Sequence, residues 1–312
     1  MKIAAAGVNQ KQAERMTLAK VVADYGTRRQ FLNLKTSSRE SQLVMDEFMN
    51  VTHLTFTDEV TWKSIFIFQR ALRARGLNDS TVCRKLSQLR SLLRFAGVNN
   101  QIFPPLPRYE KKVPTAYTSA QIREIFAAAD PYETIAFQMA LKLGLREQEL
   151  MYAEFPDISF DGKVFRVRGT AGYGFRISGN GQREIPIADD LLAHLREWTE
   201  LHPRQTMILP APDGNPNRHL PRRLERLVNR AGLACGACES CLKHKKCSEY
   251  TLRKFRRTFI VRLLAAGVDI RTLMFYAGHS NAQTTMRLYM PVLAKDGQAV
   301  INAIDWDWAD LT

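Results

Sequence analysis

The residues best suited to metal chemistry lie in one short stretch, "CGACESCLKHKKC". It holds four of the five cysteines of the chain, Cys235, Cys238, Cys241 and Cys247, at the spacing C-x2-C-x2-C-x5-C. Four thiolates at such spacing are typical of a structural zinc site, which is tetrahedral and needs no open position. An iron–sulfur cluster is the alternative, because closely spaced cysteines with one more distant also ligate clusters. His244 offers a substitute ligand in either case.

A second candidate for chemistry is the stretch "AGHSNAQTTMRLYMP" near the C-terminal end. It places Gly278 and His279 one short predicted helix before Tyr289. A histidine beside a glycine is typical of a turn, and a tyrosine on an amphipathic helix is typically a core residue with a hydrated hydroxyl. A chemical role for this pair therefore depends on other residues of the chain.

The charge balance indicates an anionic partner. Lys and Arg number 45 against 31 Asp and Glu, which gives a formal net charge of +14 and a pI near 9.7. Such an excess favours nucleic acid before membrane, because neutralised phosphates release counterions. A basic surface kept for solubility is the alternative. No long polybasic tail occurs, so we expect the charge to be spread over folded surface.

Cysteine usage and hydropathy predict the compartment. The remaining cysteine, Cys83, falls in a segment of apolar periodicity and is predicted to be a buried thiol. Clustering at metal-ligand spacing, without a recognisable secretion signal, favours a reducing compartment. No apolar run approaches the roughly 20 residues that span a bilayer. We therefore expect a cytoplasmic, nucleoid-associated protein with no membrane partner.

The elements that must position these residues begin with a small helical module over residues 1–103. A helix is predicted over 58–75, and the next, "TVCRKLSQLRSLLRFAG", has an apolar stripe along one face. Basic residues with little acidic opposition cover the other faces, which predicts a phosphate-facing surface. We expect Arg84, Lys85 and Gln88 to contact DNA.

A proline-rich segment separates this module from the rest of the chain. Residues 104–117 contain four prolines, which stiffen an extended chain and remove backbone donors. We place an interdomain linker there, and expect Arg108 and Lys111 to act as a strap across a nucleic-acid backbone.

The second domain is predicted over residues 118–312, with the cysteine stretch as an insertion at 235–247. Thr118 and Gln121 form a capping box at its first helix. Alternating branched and polar residues in "KVFRVRGTAGYGFRISGNGQREIPI" predict two or three antiparallel strands, and helices follow. The predicted fold class is mainly α with a small antiparallel β-sheet.

The order of elements, with "GLREQEL", "LRKFRRTFIVRLLAAGVDIRTLMFYAGH" and "TTMRLYMP", resembles the tyrosine recombinase (phage-integrase-like) family over residues 35–295. Each motif alone is common, whereas their order and spacing are specific. The resemblance implies an N-terminal helical core-binding domain and a mostly helical catalytic domain that together clamp double-stranded DNA. It also implies a homotetramer on two duplexes and no organic cofactor.

The resemblance assigns roles to particular residues. Tyr289 matches the family's nucleophile, whose phenolate attacks a DNA phosphodiester to give a 3′-phosphotyrosyl linkage and a free 5′-hydroxyl. Arg146 and Arg256 match two phosphate-clamping arginines, whose planar forks bind adjacent oxygens as lysine cannot. His279 matches a residue that donates to the phosphate or positions the leaving group. Glu149 matches an acidic position that supports the first arginine.

Two positions depart from the family pattern. The family has a histidine three residues before the second arginine, where this chain has Arg253. If the register slips by one, Arg257 replaces Arg256 as that second arginine. The family's hairpin lysine, which protonates the leaving oxygen, aligns near Ser178. Arg176 and Arg183 are the nearby cations, and we expect both to contact DNA, but arginine is a poor proton donor because it holds its proton tightly.

These observations predict a site-specific DNA recombinase or integrase that works through a 3′-phosphotyrosyl intermediate. A general acid or base is worth about 10²–10⁴ in rate, so the two departures leave an alternative. That alternative is a catalytically weakened or inactive DNA-binding protein on the same scaffold. A type IB topoisomerase-like activity is a third interpretation, since it uses the same chemistry to relax supercoils without exchanging strands between duplexes.

Overall fold

The computed structural model of the chain describes five stretches of residues: 15–32, 38–109, 115–177, 181–244 and 247–279. The chain divides into two compact units, residues 1–111 and 112–312. The boundary between them falls inside the predicted proline-rich linker. Each unit has its own hydrophobic core.

The described part of the first unit contains four α-helices, which are α1 Leu18–Phe31, α2 Ser38–Thr52, α3 Trp62–Ala74 and α4 Asp79–Phe95. Helix α3 begins later than the predicted residue 58, because Thr61 accepts a hydrogen bond from the Ser64 backbone N–H and caps the helix there. A short 3-10 turn precedes it at Thr57–Glu59.

Helix α4 confirms the predicted apolar stripe. Its residues Val82, Leu86, Leu89 and Leu93 are all buried, and they pack with residues of the other three helices in one core. The prediction for Cys83 is wrong, because its side chain is only partly buried. It lies one position from the stripe, on the border between the buried and exposed faces.

The described part of the second unit contains eight helices and three strands. In chain order they are α5 Ser119–Ala128, α6 Pro131–Lys142, α7 Glu147–Met151, β1 Ile158–Ser159, β2 Val164–Val167, β3 Arg183–Pro186, α8 Asp189–Leu201, α9 Leu220–Arg230, α10 Glu239–His244, α11 Leu252–Ala265 and α12 Ile270–Ala277. The capping box of Thr118 and Gln121 is confirmed at the start of α5.

The three strands form one antiparallel sheet in the order β1-β2-β3, with Phe165 of β2 opposite Ile185 of β3. The predicted fold class, mainly α with a small antiparallel sheet, is confirmed. Strand β3 alternates in burial, so that Arg183 and Ile185 face the core while Glu184 faces solvent.

Helix α6 is the centre of this unit. It is apolar on most of its circumference, with Phe137 and Met139 fully buried, as expected of a helix surrounded by others. The ring of Phe137 stacks on Phe255 of α11 with centroids 5.4 Å apart. Helix α11 therefore packs along α6, and the two fix the place where α6 ends and α7 begins. Among the described residues, no helix combines the length and the apolar character needed to cross a membrane.

Candidate active site

The site begins at the sharp connection between α6 and α7. Gly144 has a φ of +58°, and a Cβ there would lie 2.3 Å from the Phe259 ring, so only glycine fits without rearrangement. Arg146 follows at the start of α7. Its backbone N–H donates to Glu149 Oε2 at 2.8 Å, and its Nη1 donates to Oε1 at 2.7 Å. One carboxylate therefore holds both the backbone and the side chain of Arg146.

Glu149 is shared with a second arginine. Arg183 donates from Nη1 to Oε1 at 3.0 Å and from Nη2 to Oε2 at 2.8 Å, with side chains 1% and 2% exposed. Burial alone would raise the pKa of Glu149, but the hydrogen bonds and charge of Arg183, with those of Arg146, outweigh it and lower the pKa to about 2. The carboxylate is thus charged throughout the physiological range.

Three consecutive backbone carbonyls at the C-terminal end of α12 each accept a hydrogen bond from an arginine. The pairs are Tyr276 with Arg183, Ala277 with Arg256, and Gly278 with Arg146. The last carbonyls of a helix have no partner within it and carry partial negative charge, which favours cations there. The end of α12 therefore gathers three guanidinium groups that come from distant parts of the chain.

Gly278 makes this close approach possible. It has a φ of +60°, and a Cβ at this position would lie 2.8 Å from Nη1 of Arg183 and 3.0 Å from Nη1 of Arg146. Any other residue would meet both a strained backbone and two guanidinium groups.

Arg256 joins the cluster from helix α11. Its side chain is buried, and Nη1 donates to the Gly144 carbonyl at 2.6 Å. Burial, followed by the charge of Arg146, lowers its pKa to about 9, so the group stays protonated at neutral pH. Three guanidinium groups then face one carboxylate, and the excess positive charge suits an anionic ligand.

His279 lies directly after the three carbonyls. It is 9% exposed, and its backbone N–H donates to the Met274 carbonyl at 2.9 Å. Burial, then the charges of Arg256 and Arg146, lowers the pKa of its imidazole to about 4. The ring is therefore neutral at neutral pH and retains one N–H donor.

The structure brings Arg146, Glu149, Arg256 and His279 together, although they span residues 146–279. Arg256 enters the cluster, whereas its neighbour Arg257 is partly buried elsewhere and has its pKa lowered by burial and by Arg253. Arg253 is exposed on α11, three residues before Arg256.

Three predicted residues, Tyr289, Ser178 and Lys111, lie outside the described residues. Their roles stay predictions.

The predicted DNA-contacting residues of α4 all bond to α2. The pairs are Arg84 with Glu40, Lys85 with Glu47 and Gln88 with Ser41. The expectation of little acidic opposition is therefore wrong for this surface, because the carboxylates come from a different helix. Arg84 is nevertheless exposed, as is Arg108.

The hairpin arginines differ from each other. Arg176 is exposed and lines a cavity of about 510 Å³ with Gly169 and Phe175, in the loop between β2 and β3. Arg183 does not fit the prediction of a DNA-contacting residue, because its side chain is buried against Glu149. The alternation of β3 is the signal that could have placed it on the inner face, beside Ile185.

A separate cluster gathers the four cysteines. Their sulfur atoms all lie within 4.8 Å of one another, with Cys235 3.8 Å from Cys241 and 3.5 Å from Cys247. Zn–S bonds of about 2.3 Å at tetrahedral angles require sulfurs ~3.8 Å apart. Hydrogen bonds from Ser248 lower the pKa of the Cys238 thiol to about 5, whereas burial raises the pKa of the Cys241 thiol to about 12. The arrangement is compatible with a single metal ion.

Comparisons with known proteins agree with this geometry. The sequence model of the phage integrase family matches residues 116–295. A tyrosine recombinase XerA of Thermococcus onnurineus is 24% identical over 273 residues, covering 85% of this chain and 88% of the relative. A tyrosine recombinase XerC of Bacillus licheniformis is 24% identical over 255 residues, covering 77% of this chain and 80% of the relative.

Solved structures share the fold. The Tn1549 transposon integrase in complex with a circular intermediate DNA matches with a TM-score of 0.70 at 19% identity, covering 93% of this chain and all of that one. A lambda integrase dimer bound to a COC′ core site matches with a TM-score of 0.67 at 14% identity, covering 96% and 81%. Because the family match covers more than half of the sequence, the predicted family is confirmed: the chain belongs to the phage integrase family.

Proposed function

We propose that this chain is a site-specific DNA recombinase that breaks and rejoins strands through a 3′-phosphotyrosyl intermediate. The observation that carries the proposal is the gathering of Arg146 and Arg256 at the end of α12, beside His279, in a member of the phage integrase family. A charged cluster of this kind suits one phosphodiester whose negative charge grows in the transition state.

In the proposed reaction, the phenolic oxygen of Tyr289 attacks the phosphorus and the 5′-oxygen of the DNA leaves as a hydroxyl. The new ester keeps the energy of the broken bond, so attack by a 5′-hydroxyl of the same or a partner strand restores DNA and frees Tyr289. Arg146 and Arg256 bind the non-bridging oxygens, and the neutral ring of His279 donates a hydrogen bond to the same phosphate. Glu149 and Arg183 hold Arg146 in place.

Proton transfer is where this chain differs from the family pattern. Arg253 stands where the family has a histidine, and arginine is a poor acceptor for the proton of Tyr289. One missing general base is worth about 10²–10⁴ in rate, so we expect slow strand cleavage. A DNA-binding protein without cleavage is the second candidate, because Arg253 replaces the histidine of the family pattern. The presence of both Arg146 and Arg256 in the cluster supports strand cleavage.

The proposed partner is double-stranded DNA, bound by a homotetramer that holds two duplexes. Support comes from the net charge of +14 and from the DNA present in the structures of the Tn1549 and lambda integrases. With DNA as the substrate, we expect the protein at the nucleoid, in the cytoplasm.

We further propose that Cys235, Cys238, Cys241 and Cys247 hold one structural zinc ion. The sulfur separations of 3.5 and 3.8 Å suit ligands of a single ion, whereas the ligands of an iron–sulfur cluster are spread over several irons. The side chain of His244 lies outside the described residues. Elemental analysis of the purified chain should give one zinc per molecule, and iron with visible absorbance would support the cluster instead.

Trapping the covalent intermediate tests the recombinase proposal. The protein is incubated with nicked duplexes tiled from DNA that flanks its own gene, and adducts stable in SDS are counted. We expect an adduct that disappears in Tyr289→Phe and is at least tenfold slower in Arg256→Lys, since lysine cannot form the fork. Arg257→Lys is the matched control, because Arg257 lies outside the cluster. Tight binding to one duplex without any adduct would support the non-cleaving alternative.

A further inference from the structure

The four-cysteine site lies next to the start of the helix that carries Arg256. Cys247 is buried, and only three residues separate it from Thr251, where α11 begins. The backbone N–H of Tyr250 donates to the Cys247 carbonyl at 3.4 Å. The last metal ligand and the first turn of α11 are therefore joined by a short, hydrogen-bonded segment.

Helix α11 needs support at this end. Among the described residues, Thr251 makes no side-chain hydrogen bond to the first turn, so the usual cap is absent. Instead, the hydroxyl of Tyr117 accepts from the Thr251 N–H at 2.8 Å and donates to the Thr251 carbonyl at 3.1 Å. A distant tyrosine thus holds the residue that precedes the helix through both of its backbone groups.

Tyr117 is itself held from several sides. Its ring lies 5.7 Å from Tyr250 and 4.8 Å from Phe255, and its backbone N–H donates to Thr258 Oγ1 at 2.8 Å. It is 4% exposed. Because Tyr250 belongs to the segment after Cys247, movement of that segment removes one wall of the Tyr117 site.

We propose that the metal bound by the four cysteines holds the start of α11 in place, through Tyr250 and Tyr117, and so keeps Arg256 in the phosphate-binding cluster. Without the metal, no ion ties the four sulfurs to one centre, and the segment that ends at Cys247 separates from Tyr117. The effect on cleavage rests on the proposed recombinase function, whereas the metal content and the order of α11 do not.

The geometry predicts a larger effect on chemistry than on DNA affinity. Arg256 lies five residues after Thr251, about 7.5 Å along the helix axis, so it follows directly after the first turn and shifts when that turn moves. A misplacement of ~1 Å at a reacting group can cost about a hundredfold in rate. Because affinity for duplex DNA is in general the sum of many phosphate contacts, we expect it to change little when one arginine is displaced.

Hydrogen–deuterium exchange on the full chain tests the proposal. Removing the metal with a strong chelator should raise exchange in residues 247–258 and 115–118, leave α8 (Asp189–Leu201) unchanged, and slow adduct formation at least tenfold. Affinity for the same duplex should change less than threefold. Added Zn²⁺ should restore both the slow exchange and the rate of adduct formation. Unchanged exchange at the start of α11 after complete metal loss would overturn the proposal.

Two variants separate metal binding from the contact between Tyr117 and the start of α11. Tyr117→Phe keeps the ring and every cysteine but loses the hydroxyl, so it should bind one metal while exchange at Thr251 rises about tenfold and adducts form more slowly. Cys235→Ser alters the exposed ligand and should reproduce the chelated state. Cys83→Ser is the matched control and should behave as the parent chain.

The outcomes distinguish the two proposals. If metal loss raises exchange in α11 but no form of the protein makes an adduct, the recombinase proposal fails and the metal's role stands. If Tyr117→Phe exchanges and cleaves as the parent does, the route through Tyr117 is refuted.

Discussion

Replacing Gly278 by alanine tests the arrangement at the end of α12. The added Cβ would lie 2.8 Å from Nη1 of Arg183 and 3.0 Å from Nη1 of Arg146, distances at which neighbouring atoms must move. Both guanidinium groups also bond to Glu149, so neither can withdraw without losing a buried partner. We expect the variant to lose stability and to lose strand cleavage together.

The size of the stability loss in Gly278→Ala can be worked out by comparison with a second glycine, Gly267. Gly267 ends α11 with a φ of +80°, close to the +60° of Gly278, but no described heavy atom lies within 4 Å of its Cβ position. An alanine in this left-handed region costs about 1–2 kcal/mol, and Gly267→Ala should show that cost alone. Gly278→Ala adds the disturbance of a buried charged hydrogen-bond network, about 1–3 kcal/mol more.

Urea unfolding and the covalent-adduct assay measure the two effects. Gly267→Ala should lower the free energy of unfolding by about 1–2 kcal/mol and leave the adduct rate of the folded protein unchanged. Gly278→Ala should lower it by about 2–5 kcal/mol and slow the adduct at least tenfold. Equal stabilities and equal adduct rates for the two variants would refute the reasoning that Gly278 is required by the arginines.

Three further predictions concern the same cluster. Lowering the pH should reduce the free energy of unfolding in two steps, because His279 and Glu149 both have depressed pKa values in the folded chain. Stability that depends on neutral His279 is lost between about pH 6.5 and 4, and stability that depends on charged Glu149 is lost between about pH 4.5 and 2. Urea titrations at several pH values should show the upper step removed in His279→Gln. Gly144→Ala places a Cβ 2.3 Å from the Phe259 ring and should lower the thermal midpoint far more than Gly267→Ala does. Arg183→Lys keeps the charge but loses the two-bond fork, so it should slow the adduct without changing binding to duplex DNA, and an unchanged adduct rate would contradict its role in holding Glu149.

Local features of this protein could be read from the sequence because they are encoded within a few residues. The capping box of Thr118 and Gln121 spans one helical turn, and the apolar stripe of α4 repeats every three to four residues. The four cysteines fall within 13 residues, from Cys235 to Cys247, so their spacing alone indicates that they can meet. The fold class follows from the same local periodicities.

Local patterns could not predict that the four site residues lie close together. These residues are Arg146, Glu149, Arg256 and His279. Family resemblance predicted these residues as a set, and the structure brings them together from separate parts of the second unit. Periodicity alone could not have joined them, because nothing local relates residue 146 to residue 256. The motifs supplied the positions, and the packing of α11 against α6 supplies the distances.

Only the tertiary structure decided which partner each charged residue has. Arg84 and Lys85 bond to carboxylates of α2, roughly forty residues away, and Arg183 is buried on Glu149 instead of being exposed on the surface. The physical reason is that side-chain pairing depends on which helices and strands pack together, and that choice is made by the whole core. For the same reason, the requirement for glycine at Gly278 becomes visible only when the three arginines converge on the end of α12.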